Sequence, residues 1–92
     1  MKFGQLTFTK GIARGIDKDI EFSKFIVSSL ERYGMNDWGD LCKEDVEMND
    51  LAVKHNEGRV VARYNHLNRD IYIITEMYGM ERITTVLFCD EY

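Results

Sequence analysis

The strongest constraint on how this chain can fold is a change of hydrophobic period at Gly58. Before it, Phe22, Ile26, Leu30 and Tyr33 recur at i, i+4, i+8 and i+11 and mark one apolar face of a helix. Asp17 is placed to cap that helix, Asp19 and Glu21 suit its first turn, and Gly34 is placed to end it. A second helix is predicted over roughly 41–56, capped by Asp40 and carrying Cys42, Val46, Asn49 and Val53 on one face. After Gly58 the text is β-rich: Arg59 to Tyr64, Ile71 to Tyr78 and Ile83 to Cys89, separated by turns over 65–70 and 79–82.

Short connections between three consecutive strands predict an antiparallel meander. At the other end of the chain, Leu6 and Phe8 alternate with Gln5, Thr7 and Thr9, which predicts a further strand that joins the same sheet. Lys10-Gly11 breaks it, and Ile12 to Ile16 allow a single helical turn. The expected fold class is α+β: a two-layer sandwich with an antiparallel sheet of about four strands and two main helices, in the order β-α-α-β-β-β. No linker, repeat or proline interrupts residues 1–92, so the chain is read as a single domain.

Bulk properties narrow the function classes. The longest apolar runs are four residues, whereas a membrane-spanning helix needs about 20. The first residues lack the apolar core of a secretory signal, so a cytoplasmic location is expected. Cys42 and Cys89 stand at no metal or redox spacing, and neither does His55 or His66, so no metal and no cofactor is implied. The net charge of −4 disfavours direct nucleic-acid binding, and the sheet half offers no basic face.

The densest charge feature is residues 37–50, where Asp37, Asp40, Glu44, Asp45, Glu47 and Asp50 face Lys43 alone. This segment reads either as a solvated helix face that complements the helix dipole or as a surface for a basic partner. As a partner surface it comprises Asp37, Asp40, Glu44, Glu47 and Asp50, aided by an exposed Tyr33 or Tyr78. Asp45 and Asn49 lie one turn apart beside Ala52, which points that face inward. Buried there, they must find partners, either backbone groups near Trp38-Gly39 and strand-end amides or a ligand. A cleft between the second helix and the sheet, with Asp45, Asn49, Glu76 and Thr85 converging, would make a small enzyme or ligand-binding protein.

Several blocks taken together resemble a family of small proteins of plasmids, phages and integrated elements. These are often labelled "plasmid-related protein" or type I restriction endonuclease subunit M. The matching text is Asp37-Trp38-Gly39-Asp40-Leu41, Glu44-Asp45, Asn49-Asp50 with Ala52, Arg59 to Tyr64, Ile71 to Glu76, Arg82 to Leu87, and Glu91-Tyr92. It covers about two thirds of the chain. The chain departs from the family pattern at Thr9-Lys10-Gly11, where Thr-Pro-Gly is usual, and at Tyr72, where Trp is usual.

The resemblance implies a helper protein of mobile DNA. It does not imply a methyltransferase subunit, since 92 residues hold neither such a domain nor its cofactor loop. It carries over no catalytic residue and gives Trp38, Gly39, Asp45 and Asn49 a structural role. The expected function is therefore non-enzymatic binding of a host or element-encoded protein, with anti-restriction or anti-CRISPR blockade as the type of action. A homodimer formed through a sheet edge is a third reading.

Overall fold

Thr9 ends the first strand and starts the first helix. Its hydroxyl accepts the Ile12 N–H at 3.3 Å, and the chain continues as α1, Lys10–Lys18. The expected single turn is thus a nine-residue helix, and Asp17 lies inside it. The cap of the next helix, α2 (Ile20–Gly34), is Asp19, which accepts from the Glu21 and Phe22 N–H groups at 3.0 and 3.3 Å. One extended residue therefore both closes α1 and opens α2. Gly34 remains helical, and Asn36 takes the left-handed turn that ends α2, with φ at 61°.

The third helix, α3, runs Lys43–His55 and starts after Cys42, which makes no side-chain capping bond. Asp40 is not its cap. The Asp40 N–H donates to the Arg63 carbonyl at 2.7 Å and its carboxylate accepts from Asn65 Nδ2 at 3.3 Å, so the residue is held against the sheet. The computed structural model describes residues 1–67 and 69–92. Asn68, inside the expected 65–70 turn, lies outside the described residues.

The strands are β1 (Gln5–Phe8), β2 (Gly58–Tyr64), β3 (Ile71–Tyr78) and β4 (Glu81–Phe88), in the sheet order β1-β4-β3-β2. The meander β2-β3-β4 is antiparallel, but β1 pairs with β4 in parallel, so the sheet is mixed and not antiparallel as expected. The reason is topological. The outer side of β2 is covered by other parts of the chain, so β1 takes the free side of β4, whose direction it shares. With three helices, the described fold is a small α+β arrangement in the order β-α-α-α-β-β-β.

Register fixes which residues meet in the core. Ile71 lies between Tyr64 and Phe88, Ile73 between Ala62 and Val86, and Thr75 between Val60 and Thr84. This row is buried against Ile12, Phe22, Ile26 and Tyr33 of the helices, while the alternate residues Tyr72, Glu76 and Tyr78 point to the other side. Tyr33 is fully buried, which corrects its expected place on the surface. Its hydroxyl meets Thr75 Oγ1 at 2.6 Å, Thr75 Oγ1 meets Thr84 Oγ1 at 2.7 Å, and Thr84 donates to the Phe3 carbonyl at 2.6 Å. A helix, two strands and the N-terminal segment are thereby joined through one buried chain of hydrogen bonds. Burial pushes the Tyr33 hydroxyl up to about 12.

Candidate functional site

An edge strand presents every second backbone N–H and C=O to whatever lies beside it. On β2 these are the groups of Arg59, Val61 and Arg63, and the last two residues are satisfied from residues 38–49. The Arg63 N–H donates to the Trp38 carbonyl at 3.1 Å, and its carbonyl accepts from Asp40. Almost two turns into α3, the Asn49 amide bridges Val61: Nδ2 donates to the carbonyl at 2.9 Å, and Oδ1 accepts the N–H at 3.3 Å. A side-chain amide presents an N–H donor and a carbonyl acceptor side by side in one plane, so it imitates a neighbouring strand. Asn49 is accordingly buried.

The Trp38-Gly39 turn is shaped for this contact. Gly39 has φ at 77°, and a Cβ there would stand 2.0 Å from the Arg63 carbonyl oxygen. No residue with a side chain fits. The Trp38 ring is buried edge-on to Tyr33 at 5.3 Å between centroids, and its Nε1 donates to Asp50 at 3.0 Å. Asp37 accepts from Arg32 at 2.8 and 3.1 Å and from the Gly39 N–H at 3.1 Å. The Arg32 bond holds the Asp37 carboxyl below its ordinary range, with help from Gly39. The Tyr64 hydroxyl donates to the Asp37 carbonyl at 2.7 Å, and burial raises its pKa.

The acids of residues 37–50 therefore separate into two groups. Asp37, Asp40 and Asp50 hold parts of the turn in place. Glu44 and Glu47 face outward on α3 and form no salt bridge among the described residues. Asp45 is also exposed, which corrects its expected inward position. It shares a face with Asn49, but one turn earlier in α3 that face looks into an open cleft and not onto β2. Met48 and Leu51 of the same helix are 66 % and 50 % exposed.

Asp45, Asn49, Glu76 and Thr85 do not converge. Asn49 sits outside β2 against Val61, whereas Thr85 pairs with Ile74, which pairs with Val61. Two strand spacings, about 10 Å, thus separate Thr85 from the strand that Asn49 touches. Thr85 bonds instead to Thr7 at 3.0 Å, and Glu76 accepts from the Tyr78 hydroxyl at 2.9 Å. Among the described residues, no three His, Cys, Asp or Glu side chains gather as metal ligands would, and no helix is long and apolar enough to cross a membrane.

A cleft of about 450 Å³ does open between the start of α3 and the outward side of β2 and β3. Asp45 and Met48 form one wall, and Arg63, Tyr72 and Tyr92 the other. Arg63 donates to Asp70 at 2.8 Å and holds its carboxyl below the usual range, while the Arg63 Nε is buried without a partner. Tyr92 stands edge-on to Tyr72 at 5.6 Å and beneath the Arg59 guanidinium at 5.3 Å. The sequence reading did not find this cluster. Alternation along β2 aligns Arg59 with Arg63, but only the turn over Cys89–Glu91 returns Tyr92 to them. Comparison of the chain with protein-family models, with curated proteins and with solved structures gives no match.

Proposed function

We propose that this chain is a non-enzymatic accessory binding protein that takes a basic protein partner on the outward side of α3. One observation carries the reading. The polar groups that sequence spacing suggested for chemistry do not gather, and Asn49 is taken up by the sheet edge, while Glu44 and Glu47 share the exposed side of α3 with Met48 and Leu51 and form no salt bridge among the described residues. Exposed apolar side chains bordered by acids suit a partner surface with apolar residues bordered by Lys or Arg. The resemblance extends the proposal to a helper of mobile DNA that blocks a restriction or CRISPR protein sterically from within the cytoplasm.

Reversing Glu44 and Glu47 to Lys tests it. Capture of the partner from host extract, with the bound protein identified by mass spectrometry, should fall at least tenfold, which corresponds to about 1.4 kcal/mol. The melting temperature should fall by no more than about 5 °C, the cost of a positive charge in the first turn of α3 at Glu44. Unchanged capture removes α3 from the proposal.

A second reading, binding of a small molecule, is favoured by the cleft itself. Its volume falls within the range of ligand pockets, and Tyr72, Tyr92 and Arg63 offer stacking and charge. A thermal-shift screen of aromatic acids against the wild type and Tyr92→Ala tests it. No shift with any of them ends this reading.

A further inference from the structure

We propose that β1 is a pairing edge for a second copy of this chain, with the two β1 strands antiparallel about a two-fold axis through Thr7. The phase of β1 is set by the Thr9 N–H, which donates to the Val86 carbonyl at 3.1 Å. Backbone direction alternates along a strand, so Gln5, Thr7 and Thr9 turn their groups toward β4, and Leu6 and Phe8 turn theirs away from the sheet. The Thr7 hydroxyl bonds to Thr85, which places Leu6 and Phe8 side chains together on the opposite face. They are 38 % and 41 % exposed. The edge is short, at four residues, but Gln5–Phe8 carries no charge, no proline and no bulge to blunt it further.

Self-complementarity selects the occupant. With the axis at Thr7, Leu6 of one copy lies opposite Phe8 of the other, and the pair exchanges both N–H···O bonds. Symmetry repeats this, giving four backbone bonds and two Leu–Phe contacts on one face. The other edge offers only Arg59, because Asn49 and the Trp38–Asp40 turn already occupy Val61 and Arg63, and one residue is too short to pair with β1. Head-to-tail pairing of β1 with a neighbour's β2, which would grow an open filament, is therefore closed off. A capped edge and an uncapped one leave only the closed pair. The proposal is independent of the partner on α3, which lies at the other end of the sheet.

Sedimentation of the full chain over a concentration series should show a monomer–dimer equilibrium, and Phe8→Lys should weaken it at least tenfold. A second measurement fixes the register. In a Cys42→Ser, Cys89→Ser background, Thr7→Cys should cross-link on mild oxidation. Two residues paired directly opposite without mutual hydrogen bonds have Cα atoms about 4.5 Å apart, within disulfide range. Gln5→Cys should not cross-link, since its symmetry mate would be about 14 Å away. A wild type that stays monomeric to about 0.5 mM overturns the proposal. So does a dimer that Phe8→Lys leaves intact, or one in which Gln5→Cys and not Thr7→Cys cross-links. If Phe8→Lys fails to fold, as judged by circular dichroism, the cross-linking pair decides alone.

Discussion

The two edges of the sheet are held in opposite ways. β2 is held from outside: Asn49, Trp38 and Asp40 meet the outward backbone groups of Val61 and Arg63. β1 is held from inside: Thr7 and Thr9 bind β4, and the segment just before it is anchored by the chain Tyr33–Thr75–Thr84–Phe3. Both give order, but only the first removes the edge. The difference teaches that the polar residues around Trp38 have a sufficient explanation in strand protection, so recognition must be sought elsewhere.

The comparison can be broken most sharply at Gly39. Gly39→Ala forces a Cβ onto the Arg63 carbonyl and strains a left-handed backbone, and should cost about 3 kcal/mol or more in urea unfolding. A loss below about 1 kcal/mol would mean the turn is not needed to close β2.

The inside anchor answers to pH. Tyr33 has its folded-state pKa raised from 10.0 to about 12, so its neutral form is favoured in the fold. Its stabilisation is fully present below about pH 10 and is lost as pH rises toward 12, amounting to about 2–3 kcal/mol. Unfolding free energies measured from pH 9 to 12 should show this slope, and Tyr33→Phe should reduce it to the share of Tyr64, whose pKa burial also raises. A profile identical in both proteins would take Tyr33 out of the anchor.

Asn49→Leu keeps the side-chain size while stripping both Val61 bonds. It should cost about 2 kcal/mol and speed hydrogen exchange at the Val61 amide, with Ile74 on the next strand less affected. Equal acceleration at both would mean the cap stabilises the whole fold and not this edge. The smallest effect belongs to β1. Phe8→Lys should change the stability of the monomer by no more than about 0.5 kcal/mol, since the side chain is already 41 % exposed. A larger loss in dilute urea unfolding would show that β1 depends on Phe8 for packing within one chain.

Much of the scaffold was legible because period survives in the residues. Phe22, Ile26 and Tyr33 are buried on one face of α2 as their spacing implies, and β3 occupies Ile71–Tyr78 as read. Helix starts were less legible. Asp17, Asp19 and Asp40 all have capping chemistry, and which one caps depends on where the preceding element stops. The candidate site was legible only as composition. Asp45 and Asn49 look alike in a helical pattern, yet one is exposed and the other bridges a strand. Tyr33 likewise reads as either a surface or a core tyrosine until Thr75 is placed opposite it.

Sequence alone determined the elements: an amphipathic helical half, a β-rich half beyond Gly58, and a glycine after Trp38. Local propensity and hydrophobic period act over a few residues, so they are written in the chain. Tertiary structure decided the parallel entry of β1, the assignment of Asn49 to Val61 and the meeting of Tyr92 with Tyr72. Each depends on bringing residues at least 12 positions apart within hydrogen-bond or contact distance, and no local pattern specifies which distant backbone group will need a partner.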